Sequence, residues 1–169
     1  ATPFAYSNDS SAGLPKVPAT SIIIDKDKSL YVAMASKGVY KSTDGGKTWT
    51  NVARKIPGLP PGYCVSTVNA SPHDEATAFA TFDGHGLGDM KTYVYRTTDF
   101  GQTWESLGTA DLKGHAHVIR QDTVSPNLLF LGTESGLFVS LDGGRQWAQF
   151  KGELPNVAVR DIAVQPREG

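Results

Sequence analysis

Three histidines, His85, His115 and His117, share the middle of the chain with four acids, Asp83, Asp89, Asp111 and Glu134. Two kinds of chemistry need such residues. Imidazole nitrogens and carboxylate oxygens together ligate divalent transition metals. His115-x-His117 on an extended strand would turn both rings to one side, because side chains alternate with period two. Asp83-x-His85 would add an oxygen and a nitrogen. None of these spacings is a recognised metal signature, so no metal is assigned. Alternatively, two carboxylates flanking a glycosidic bond at a set distance hydrolyse it, and Asp83, Asp89, Asp111 and Glu134 are the candidates for that pair. Tyr63, His85 and Tyr93 offer aromatic and polar contacts suited to a sugar or protein surface. The plainest reading is that these groups cap loops and carry solvated charge, with Gly84, Gly86 and Gly88 turning the chain. The Gly84–Gly88 run has neither the strand-to-helix setting nor the lysine of a phosphate loop. No Gly-x-Ser-x-Gly elbow occurs, and no cofactor is implied.

The elements that would hold these residues are organised by one recurring stretch. Ser42-Thr43-Asp44-Gly45-Gly46-Lys47-Thr48-Trp49 joins two β-prone runs through Asp-Gly-Gly, a strong hairpin signal because glycine supplies positive φ without a Cβ clash. Asp44 can accept backbone N–H bonds round the turn, and the Ser42 and Thr48 hydroxyls can add local ones. The stretch recurs as Thr97-Thr98-Asp99-Phe100-Gly101-Gln102-Thr103-Trp104 and as Ser140-Leu141-Asp142-Gly143-Gly144-Arg145-Gln146-Trp147. All three tryptophans close a copy. Constant offsets of Ser/Thr, Asp, Gly and Trp mark an internal repeat.

The pattern Ser/Thr-x-Asp-x-Gly-x-Thr-Trp resembles the Asp-box of the BNR repeat, found in sialidases, sortilin-type Vps10 domains, family 74 xyloglucanases and related β-propellers. The third copy departs at Gln146, which puts one hydroxyl bond in question. The stretch from Tyr93 to Gln149 looks most like bacterial Vps10/sortilin-like "glycosyl hydrolase" propeller proteins. The resemblance implies structural roles for Ser42, Asp44, Gly46, Trp49, Thr97, Asp99, Gly101, Trp104, Ser140, Asp142, Gly144 and Trp147. It also implies a ligand face built by the loops 53–64, 83–92, 108–115, 133–135 and 151–156. That face would collect Tyr63, His85, His115 and His117, with Arg120 and Arg160 on neighbouring first strands. The sialidase subgroup needs an arginine trio and a Tyr–Glu pair. Arg120 and Arg160 supply part of the trio, Arg54 is a poor third, and no Tyr–Glu pair can be assigned.

Each box sits between the third and fourth strands of a four-strand unit. Residues 19–52, 64–107 and 115–150 read as three blades after an irregular arm over 1–18, in which residues 2–6 could add an edge strand. Residues 157–165 read as the first strand of a fourth blade. Ser21–Ile24 is continuously apolar and suits burial on both faces. The expected fold is therefore all-β: a β-propeller segment of three four-stranded antiparallel blades plus one extra strand. Propellers close with about four to eight blades, so the ring is incomplete, to be closed by self-association or by the remainder of a larger propeller.

With 169 residues, 16 basic and 17 acidic groups and a net charge of −1, nothing points to nucleic acid. No apolar run reaches the length of a membrane span. Eighteen glycines and ten prolines suit a turn-rich β chain. Cys64 is alone, so no internal disulfide forms, and it reads as a small buried hydrophobe. The reading that follows is a non-catalytic scaffold or binding module of a secreted or periplasmic bacterial protein, presenting loops to a glycan or protein. The alternative is part of a glycoside hydrolase, sialidase-like or family 74-like. A carboxylate pair within about ten ångströms in an open cleft would favour hydrolysis.

Overall fold

A computed structural model describes residues 13–24, 28–53, 56–152 and 155–165. The expected edge strand at 2–6, and Arg54, lie outside them. The described residues form twelve strands in three antiparallel meanders. The first sheet holds β1 (Ala19–Ile24), β2 (Leu30–Met34), β3 (Gly38–Ser42) and β4 (Thr50–Asn51). The second holds β5 (Cys64–Ala70), β6 (Ala78–Gly84), β7 (Asp89–Thr97) and β8 (Glu105–Ser106). The third holds β9 (Ala116–Gln121), β10 (Leu129–Thr133), β11 (Gly136–Ser140) and β12 (Ala148–Gln149). Helical structure among the described residues is confined to short 3-10 turns, one of which, His85–Leu87, follows β6. The sheets stack face to face as an arc of a β-propeller.

A sheet buried on one face reads as alternating, and one buried on both reads as continuous. The middle sheet is of the second kind. On β6, Ala80 and Phe82 enter a core with Tyr31, Val39, Val65 and Trp104. Their neighbour Phe79 enters the opposite core with Ile119, Leu131, Phe138 and Trp147. β1 corrects its expected burial: Ile22 and Ile24 are 63% and 70% exposed, because no described sheet covers their side. Residues 157–165 are also a correction. They make no sheet, although the Val159 N–H donates to the Thr133 carbonyl at 2.9 Å and holds the segment beside β10.

The three repeated turns share one bond pattern. The Ser42, Thr97 and Ser140 hydroxyls each donate to the following Asp at 2.8 Å. Each accepts a glycine N–H four residues on, from Gly46, Gly101 or Gly144. The Asp44 and Asp99 carboxylates accept both the N–H and the hydroxyl of Thr48 and Thr103. Asp142 accepts the N–H of Gln146 alone at that place, so the hydroxyl bond is absent as the Gln predicts. Gly101 and Gly144, at φ +82° and +93°, press on Val52 and Leu107 of the foregoing sheet. Trp104 and Trp147 enter the cores between sheets. The indole N–H groups differ: Trp147 donates to Leu107 O, Trp49 to Gly46 O, and Trp104 has no partner among the described residues. Trp49, with no described sheet before it, lies half-buried against Leu14 and Val17.

Two predictions follow from these turns. Trp104→Ala and Trp147→Ala each cost about 3–5 kcal/mol, as large-to-small core changes do, while Trp49→Ala costs less; urea denaturation of the three variants measures the ordering. The carboxyl groups set a pH dependence. The Thr48 hydroxyl and N–H hold Asp44 well below the ordinary range. The Gln146 N–H and the Ser140 hydroxyl lower Asp142. At Asp99 burial pushes upward, and the Thr103 and Thr97 bonds more than offset it. A carboxyl lowered by folding stabilises above its unfolded pKa of about 3.9 and loses that contribution as pH falls toward the folded value. The urea midpoint therefore holds near neutral pH and drops below about pH 4, with a shallower acid slope in Asp99→Asn.

Candidate functional site

The strand ends at the seam between the second and third sheets bring together residues far apart in sequence. Asp83 stands near the end of β6, and its Oδ1 accepts the His85 backbone N–H at 2.8 Å. The His85 ring then folds back, with Nδ1 2.6 Å from Asp83 Oδ2. From the third sheet, His115 precedes β9 and His117 lies within it, while Glu134 directly follows β10. The Glu134 N–H donates to the His115 carbonyl at 3.1 Å, which fixes Glu134 beside both rings. His117 Nε2 meets Glu134 Oε2 at 2.8 Å. The rings of His85 and His115 stack at 4.8 Å, and those of His115 and His117 meet edge-on at 4.7 Å.

His115 is the centre of this cluster. It is buried, and its Nε2 lies 3.9 Å from Asp83 Oδ2 and 3.8 Å from Glu134 Oε2. Both distances exceed a hydrogen bond. Its Nδ1 has no partner among the described residues. Because both carboxylates approach one nitrogen, their oxygens lie no more than about 8 Å apart, short of the upper limit of about 9.5 Å for glycosidase carboxyl pairs. An open cavity of about 580 Å³ exposes the cluster.

Electrostatics keep His115 neutral and Glu134 charged. Burial pushes His115 down, its two histidine neighbours add to this, and the carboxylates of Asp83 and Glu134 oppose it. Glu134 is lowered first by the His117 bond and then, against burial, by Arg160, whose guanidinium lies 3.6 Å away. A carboxylate held in the charged form serves as a base, nucleophile or ligand rather than as a proton donor.

The remaining sequence candidates lie elsewhere. Asp89 accepts the Tyr63 and Tyr93 hydroxyls at 2.6 and 2.8 Å, a network that also lowers its carboxyl, with Tyr63 the first cause. Tyr63 is buried, and a Cβ on Gly84 would fall 2.6 Å from its ring, so glycine is required there. Asp111 is exposed in the loop before β9 and does not line the cavity. Arg120 turns to the tail segment, donating to the Ile162 carbonyl and pairing with Asp161. Arg160 alone of the two arginines reaches the cavity. Cys64 corrects its expected burial: it is exposed at the cavity, with Sγ 3.2 Å from Ser36 Oγ. Ser66 and Thr20 also line the cavity, and nothing in their local sequence marks them.

No protein-family model matches the chain. Over 135 residues it is 28% identical to a probable oligoxyloglucan-reducing end-specific xyloglucanase of Neosartorya fischeri, covering 75% of this chain and 16% of that protein. Over 121 residues it is 31% identical to the oligoxyloglucan-reducing end-specific xyloglucanase of Emericella nidulans, covering 65% and 14%. The chain thus spans about one-sixth of the length of these curated relatives. Among solved structures, an ancestral GH74 enzyme superposes with a TM-score of 0.68 at 15% identity, over 85% of this chain and 20% of that one. That likeness concerns the fold: an arc of three propeller blades.

Proposed function

We propose that the chain is a segment of a larger Asp-box propeller related to glycoside hydrolases, and that its open seam acts on a polysaccharide of the xyloglucan class. The observation that carries this is the Asp83–Glu134 pair, within about 8 Å across an exposed cavity. The likeness to xyloglucanases supports it and reverses the order of the two readings taken from sequence. Glu134 is the base or nucleophile, and Asp83 the second carboxyl of the pair. The non-catalytic alternative keeps one specific support: both carboxylates are already bonded to histidines, so the face could hold a glycan without cleaving it. A secreted or periplasmic setting suits an extracellular polysaccharide, and no described helix is long and apolar enough to cross a membrane.

The test is release of reducing ends from xyloglucan oligosaccharides and of chromophore from aryl glycosides. Turnover is expected, and Asp83→Asn and Glu134→Gln each lower it about 100-fold or more. Saturable binding of the oligosaccharides without turnover would replace hydrolysis by the binding reading.

The exposed Ile22 and Ile24 face is what an adjoining blade would cover. The isolated chain is therefore expected to sediment above its single-chain mass at micromolar concentration. Ile22→Lys with Ile24→Lys shifts it toward monomer. A wild-type chain that stays monomeric throughout would exclude self-closure through this face.

A further inference from the structure

We propose that His115, His117 and Glu134 bind one divalent transition-metal ion of the zinc class at the seam of the second and third sheets. The reading does not depend on glycan hydrolysis. The three candidate ligand atoms lie within 4.8 Å of one another. Ligand atoms around a tetrahedral zinc, at bond lengths of about 2.0–2.2 Å, stand roughly 3.3–3.5 Å apart. The observed separations bracket that value. His115 Nε2 to Glu134 Oε2 is 3.8 Å, and His117 Nε2 to Glu134 Oε2 is 2.8 Å. Closing one and opening the other by roughly half an ångström brings both to the tetrahedral spacing, and the ligand atoms of the two histidines stand within 4.8 Å.

Ring orientation selects this triad over the competing one, Asp83 with His85 and His115. An imidazole lone pair lies in the plane of its ring. The His115 and His117 planes cross at 76°, so their lone pairs can converge on one point. The His85 and His115 rings are stacked at 24°, so theirs run side by side. Rigidity favours the same triad. All three of its residues belong to the third sheet or directly adjoin its strands, whereas His85 rides on an exposed 3-10 turn. His115 supplies a second, independent pointer: it is buried, and neither ring nitrogen is hydrogen-bonded among the described residues. His115 Nε2, with no hydrogen bond and facing the two carboxylates beside the cavity, is the nitrogen that a metal can reach. Asp83 Oδ2, 3.9 Å from the same nitrogen, stands where it can complete the coordination or bond a metal-held water. Among the described residues, Arg160 is the one Lys or Arg against Glu134. Its side chain is largely exposed and free to swing aside.

The experiment titrates Zn²⁺ by calorimetry, and Co²⁺ by its visible absorption, into chelator-treated chain. One ion per chain is expected, with a Kd of about micromolar or tighter and the intense visible bands of tetrahedral cobalt. His117→Ala and Glu134→Gln weaken binding about tenfold or more, while His85→Ala changes it by less than about threefold. Circular dichroism confirms that each variant is folded. The proposal is overturned if no binding appears up to millimolar metal. It is equally overturned if His117→Ala and Glu134→Gln bind as the parent does, or if only His85→Ala removes binding.

Discussion

A four-stranded sheet with apolar side chains on both faces cannot stand alone in water, and the repeated turn is how each sheet here secures a neighbour. Gly101 and Gly144 sit at positive φ against Val52 and Leu107, where a side chain would be strained in backbone and crowded by the sheet before. Trp104 and Trp147, three residues further on, fill the core formed by the same contact. The cation that precedes each of the first two boxes reaches across to the next sheet: Lys41 lies 4.5 Å from the Phe100 ring, and Arg96 donates to the Gly143 carbonyl. Phe100 takes φ +58°, where glycine stands in the other two copies. The strain of a bulky residue in that region is offset by its contact with Lys41.

These fixed seams decide where chemistry can occur. A stacked pair of sheets aligns the loop after the second strand of one with the loop before the first strand of the next. Asp83 stands at the end of β6 and His85 in the loop after it, while His115 lies in the loop before β9. Their meeting is therefore a consequence of blade stacking. No local preference of either segment would bring them together. His73 adds a tie at another point of the same seam, with Nε2 2.7 Å from the Asp122 carbonyl.

Local features of the sequence carried much of the fold. Strand ends at Ala116 and Gln121, the three turn patterns and the missing hydroxyl bond at Gln146 all follow from short-range residue types. The non-local features did not follow. Ile22–Ile24 has the composition of a strand buried on both sides, yet burial depends on whether a further sheet is present, which composition cannot report. Residues 157–165 have a strand's composition too, but pairing requires a partner. Asp89 looked like any loop carboxylate, because its two tyrosine bonds come from residues 26 and 4 positions away. For the site, strand alternation puts His115 and His117 on one side, and their rings meet at 4.7 Å. Nothing in the chain announces that Asp83 and Glu134 close on the same imidazole nitrogen.

The contrast between the two seams shows what the scaffold leaves free. At the first seam, the corresponding loops bring Ser36 to Cys64 at 3.2 Å, and the cavity beside them, of about 510 Å³, is lined by Tyr40, Ile56, Leu59, Pro60 and Pro61. Among the described residues, no carboxylate lines it. At the second seam the same architecture holds three imidazoles and two carboxylates. The extra residues leading into β5 are spent on covering apolar surface, while those between β6 and β7 are spent on a turn that projects His85 over His115. Because the repeated turns pin the sheets at one end of the strands, the loops at the other ends can differ from seam to seam, some of them adding to the core as Ile56, Tyr63 and Leu112 do. One seam can then close over as core while its neighbour, on an equivalent frame, stays open and polar enough to hold a ligand.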